Sequence, residues 1–69
     1  MKRGELEEKG RVPRDATNEI KIRHGLDKWN NEVIDIRWYV ENEPTRKGIR
    51  FNKKEAEHVY NLLGRIING

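Results

Sequence analysis

The stretch Val33–Phe51, VIDIRWYVENEPTRKGIRF, decides the reading of this 69-residue chain. From Val33 to Val40 the residues alternate with the two-residue period of a strand. Ile34, Ile36, Trp38 and Val40 face one way, and Val33, Asp35, Arg37 and Tyr39 the other. Glu41 to Lys47, with Pro44, reads as a polar turn. Gly48 to Phe51 reads as a further strand with Ile49 and Phe51 inward and Arg50 outward. One face of such a sheet is apolar and suits a core. The other carries Arg37, Tyr39 and Arg50, with Arg46 and Lys47 at the turn.

Upstream, Glu19 to His24 alternates in the same way, with Ile20 and Ile22 against Lys21 and Arg23, and predicts a half-buried strand. Gly25 to Glu32 reads as a hairpin connection in which Trp29 is the conspicuous residue. After Phe51 the period changes. Asn52 followed by Glu55 matches a capping box, in which each residue satisfies a free amide of the other at a helix start. Ala56, Val59, Tyr60, Leu63, Ile66 and Ile67 then recur at helical spacing as one apolar stripe, broadened by Leu62. Residues 1–18 hold few apolar side chains after Met1, chiefly Leu6 and Val12. They read as a charged mobile arm, with room for a short edge strand near Gly10–Arg14. The expected fold class is α+β: a twisted antiparallel β-sheet of three to four strands followed by one C-terminal α-helix, with residues 19–69 as the folded domain.

Composition narrows the options. A chain this short buries a limited core, and it has no Cys for disulfides or thiolate metal sites. Two distant histidines, His24 and His58, read as ordinary polar residues, so neither metal nor cofactor is expected. The remaining way to bury more surface is self-association. A homodimer is expected through the helices, with Val59, Leu62, Leu63 and Ile66 at its interface. Gly64 inside the helix fits either close helix–helix approach or fraying. Net charge is +3 with 39% charged residues, which supports a polyanionic partner without requiring one. No apolar run reaches membrane-spanning length, and no membrane partner is expected. Asp35 among cations reads as an orienting partner for Arg37 or Arg23, and Glu55 as a cap. No nucleophile–base arrangement or phosphate-cradling glycine loop is present in the sequence, so no enzymatic activity is expected.

Cations interleaved with aromatics suit a flexible single strand, because cations neutralise phosphates while aromatic faces stack on unpaired bases. Several residues together make the chain resemble the positive cofactor four (transcriptional coactivator) family over roughly Glu19 to Ile67. They are Ile34-Asp35-Ile36-Arg37 with Tyr39, Pro44, Arg46-Lys47-Gly48-Ile49 and the capped helix from Asn52. The resemblance implies a dimeric single-stranded DNA-binding core of low sequence preference, supporting transcription, replication, recombination or repair by holding unwound DNA.

Under that resemblance Arg37, Arg46 and Lys47 would contact the DNA backbone. Arg23, Lys21 and Arg50 share the same strand face. Trp29 would stack on bases or, alternatively, close over the sheet edge as a lid; Tyr39 would stack or hydrogen-bond a neighbour. Trp38, by parity, is assigned to the core or the dimer interface. The chain departs from the family in having Thr45 where a glycine usually precedes Arg-Lys. Two other readings stand beside this one: an RNA-binding module, and a protein–protein adaptor docking on an acidic partner such as a polymerase subunit or replication protein. The expected location is cytoplasmic for a prokaryotic chain or a virus of bacteria, and nuclear for a eukaryotic one.

Overall fold

Alternating β-branched and charged residues drive the two central strands of a four-stranded sheet, and one helix follows it. In the computed structural model, which describes residues 1–69, β1 (Leu6–Pro13), β2 (Asn18–Leu26), β3 (Glu32–Val40) and β4 (Glu43–Phe51) precede α1 (Lys53–Asn68). The strands form one open sheet in the order β1-β2-β3-β4, each antiparallel to its neighbour. This is the expected α+β class, with four strands.

Two elements differ from expectation. Leu6–Pro13, within the segment read as a mobile arm, is an edge strand longer than the short one allowed near Gly10–Arg14, paired with β2 from Leu6↔Gly25 to Pro13↔Glu19. An edge strand is held chiefly by its main-chain ladder and by few side chains, so its sparse apolar content does not prevent it from forming. Gly25 makes room for it: a Cβ there would run into the Glu5 carbonyl. A register shift between Glu8 and Gly10 marks a bulge in this edge.

The second difference is β4, which starts at Glu43 rather than Gly48. Glu41 and Asn42 both have positive φ (49° and 70°), the backbone of a tight two-residue hairpin. Arg46 and Lys47 therefore sit within β4 and not in a turn. Between the pairs Arg37↔Gly48 and Tyr39↔Pro44, the residues Thr45, Arg46 and Lys47 oppose Trp38 alone. This wide irregularity is tied down by hydrogen bonds. Thr45 Oγ1 donates to the Trp38 carbonyl (2.8 Å), and Arg37 Nη1 donates to the Thr45 carbonyl (2.9 Å).

Cross-strand partners share a face. The rows Ile22–Ile36–Ile49 and Ile20–Trp38 lie on one face; Arg23–Asp35–Arg50, Lys21–Arg37 and Glu19–Tyr39 lie on the other. The helix begins with the anticipated capping box: Asn52 Oδ1 accepts from the Glu55 N–H (2.8 Å), and Glu55 Oε1 from the Asn52 N–H (2.9 Å). It meets the sheet chiefly at β3; its half-buried residues are Ala56, Val59 and Gly64, and none is fully buried. The buried hydrophobic residues are only Val33, Tyr39 and Phe51, while Val12 and Ile49 on the apolar face stay exposed.

Candidate nucleic-acid interface

Asp35 organises the charged face. Its carboxylate has no exposed surface and accepts from Arg23 Nη2 (3.0 Å), Arg37 Nη2 (3.0 Å) and Arg50 Nε (3.2 Å). Strand register dictates this convergence, because Arg23, Asp35 and Arg50 form one cross-strand row and Arg37 is two residues along β3. Burial by itself would raise the Asp35 pKa; hydrogen bonds from Arg37 and Arg23, and their charges, outweigh it and hold the carboxyl below its ordinary range. The same hydrogen bond to Asp35 raises the Arg37 pKa further. One carboxylate thus orders three guanidinium groups and leaves a local surplus of positive charge. Arg23 Nε is buried without a partner.

Lys21 shares this face but is already engaged, with Glu8 Oε1 at 3.2 Å and Asn42 Oδ1 at 3.3 Å. It also lies 4.6 Å from the Tyr39 ring centre, and the Arg23 guanidinium 5.8 Å from it. Tyr39 is only 7% exposed, with both cations close to its ring, and has no face free for a base. Parity placed it on the right face; the neighbouring side chains closed that face over it. Arg46 and Lys47 are exposed on the β4 edge and carry no acidic partner.

Trp29 projects from the β2–β3 hairpin with 71% of its surface exposed, which excludes the lid arrangement. Asp27 builds the loop that presents it. Its Oδ1 accepts from the Trp29 and Asn31 N–H groups (2.9 Å each), and Asn30 adopts positive φ at 69°. Those backbone hydrogen bonds, Asn31's foremost, lower the Asp27 pKa. Lys28 Nζ lies 4.8 Å from the indole centre. Trp29, Lys28, Arg23 and Arg50 line one recess of about 310 Å³. The structure therefore joins Trp29 to Arg23 and Arg50, with Arg37 one row away, and keeps Arg46 and Lys47 along the adjoining edge.

Lys28 was missed in the sequence reading, although its position next to Trp29 could have signalled it. Arg14 was also missed. Its guanidinium sits 4.2 Å from the centre of half-buried Trp38, a contact that exists only because β1 folds back on β2. His24 pairs with Glu32 (Nε2···Oε2 2.7 Å), and this hydrogen bond lowers the Glu32 pKa. Of the helix residues assigned to a dimer interface, Val59 is half-buried and Leu62, Leu63 and Ile66 are exposed. The chain matches no protein-family model, and no curated protein or solved structure matches it.

Proposed function

We propose that this chain is a non-enzymatic, homodimeric binder of single-stranded DNA with low sequence preference. The observation that carries the reading is the Trp29 recess: an exposed indole, held by Asp27, beside the guanidinium groups that Asp35 orders. An indole supplies a stacking face for any base, and stacking of this kind is worth about 1–3 kcal/mol per base. Arg23, Arg37 and Arg50 supply donors for the phosphates on either side. Arg46 and Lys47 extend the positive charge along the sheet edge. The likeness of Ile34–Arg37 and Arg46–Ile49 to the positive cofactor four family points the same way. A broad sheet face also suits a flexible strand better than the major groove of a duplex, which admits a helix or a narrow β-ribbon.

In this mechanism, binding only the opened form favours unwinding by mass action. The test is a titration with single-stranded DNA, duplex DNA and RNA of matched sequence at two salt concentrations. Single-stranded DNA should bind in preference to duplex. With about four phosphates neutralised, log K should fall against log salt with a slope of about −3. Equal affinity for the duplex, or a salt-independent affinity, would overturn the reading. Tighter binding of the RNA would reassign the ligand to that polymer.

A further inference from the structure

A second aromatic and cationic cluster lies at the opposite end of the sheet from Trp29 and on the opposite face. Arg14, in the β1–β2 connection, lays its guanidinium 4.2 Å from the Trp38 ring centre. Arg14, Trp38, Thr45 and Lys47 line one recess. Neither Arg14 nor Lys47 has an acidic partner. The acid in that lining is Asp15, and its carboxylate is already occupied: Oδ1 accepts from the Thr17 and Asn18 N–H groups and the Asn18 side chain. Those bonds lower the Asp15 pKa, Thr17's foremost. A guanidinium held over an indole is pre-ordered, and it still presents N–H donors in a fork that matches phosphate. Its flat outer side is also a surface on which a base can stack.

We propose that Arg14, Trp38 and Lys47 form a second nucleic-acid contact, which engages the same single strand after it has passed the β4 edge. This rests on the single-strand reading above. The Trp29 recess opens on the Arg23–Arg50 face, and the Trp38 recess on the apolar face. The route between them runs around β4, where the irregularity at Thr45–Lys47 includes the exposed Arg46 and Lys47. Nine residues of β3 separate the two ends of the sheet by about 30 Å. A strand of about four nucleotides therefore occupies the first site alone, whereas about sixteen can reach both.

The experiment compares Arg14→Ala with the unaltered protein, using fluorescence anisotropy of labelled oligonucleotides at these two lengths. Arg14 is exposed, so its replacement should leave the fold intact, which thermal unfolding checks directly. The expected result is a three- to tenfold weaker affinity for the long strand, about 1 kcal/mol, with the short strand changed by less than twofold. Equal affinities for both lengths in variant and parent would overturn the second contact while leaving the Trp29 site standing. A parallel loss at both lengths would also overturn it, since that is the signature of a structural role for Arg14. If the unaltered protein binds neither strand, the single-strand reading falls and this contact with it.

Discussion

At the scale of single residues, Asp35 is the most constrained group in the molecule. A carboxylate taken out of water is costly unless its lone pairs are filled, and three arginines fill them here. The arrangement lies under half-buried side chains of one sheet layer, so the arginines keep contact with solvent, which tempers the energy at stake. Replacing Asp35 by Asn removes the negative charge and leaves three cations facing each other. We expect a loss of about 2–3 kcal/mol at pH 7, read by chemical denaturation.

The pH dependence follows from the direction of the shift. Because the folded-state pKa lies below the unfolded value of about 3.9, the stabilisation is fully present above that value and is lost as pH falls through the folded pKa. Stability of the unaltered protein should decline from about pH 5 downward. The Asn variant should show a shallower acid limb, not a flat one, because Asp15, Asp27 and Glu32 are shifted in the same direction. An unchanged acid limb would remove Asp35 from its central role.

At the scale of elements, β4 carries the sharpest test of the edge. Its irregularity is fixed by the Thr45 hydroxyl and by Arg37, neither of which depends on the side chains of Arg46 or Lys47. Converting both of those residues to Ala should therefore leave folding unchanged and weaken single-strand binding about tenfold or more, with a salt slope shallower by about 1.4 for two lost phosphate contacts. Retained affinity would move the phosphate track off this edge.

The same element shows what the sequence made legible and what it hid. Alternation in Val33–Val40 and the Asn52–Glu55 cap identified β3 and α1, because both signals are local. A turn was legible over Glu41–Lys47, but its narrowing to Glu41–Asn42 was hidden because only Asn42 is a residue that readily takes positive φ, and no glycine marks it. β1 was legible only in part, as a short edge strand near Gly10–Arg14, because its stabilisation lies in main-chain pairing, which composition does not record; Gly25 is a further trace of its full length. Parity assigned Arg23, Arg37, Arg50 and Tyr39 to a common face correctly, yet it gives no depth, and so Tyr39 appeared available when it is buried beside Lys21 and Arg23. The Trp29 recess was half legible. A tryptophan in a polar loop was visible, but its company with Arg23 and Arg50 depends on register.

At the scale of the whole molecule, the difficulty is how little the chain buries by itself. Three hydrophobic residues are buried, while Tyr60, Leu62, Leu63, Ile66 and Ile67 on the helix are 49–78% exposed. The Ile22–Ile36–Ile49 row of the sheet is also only partly covered. Sixty-nine residues without disulfides have little margin for so much apolar surface in water. In the proposed homodimer a two-fold axis would place the helix stripe against itself and cover it, leaving the sheet row open. Burying a Leu side chain is worth about 1.5–3 kcal/mol, so Leu62, Leu63 and Ile66 would supply much of the energy that offsets the cost of association. Under this arrangement the charged faces and the Trp29 recesses lie outside the contact and appear in pairs, giving the dimer two tracks for one looped strand or two separated strands.

Leu63→Glu tests the arrangement. If the proposed dimer forms through the helices, the parent should sediment as a dimer with concentration-dependent unfolding, and this charge in the stripe should give a monomer that lacks that dependence. The Trp29 site should then bind a short strand as before, while long strands lose the advantage of the second protomer's linked sites. A dimer that survives this substitution would place the two-fold contact elsewhere, with the uncovered Ile22–Ile36–Ile49 row as the next surface to test.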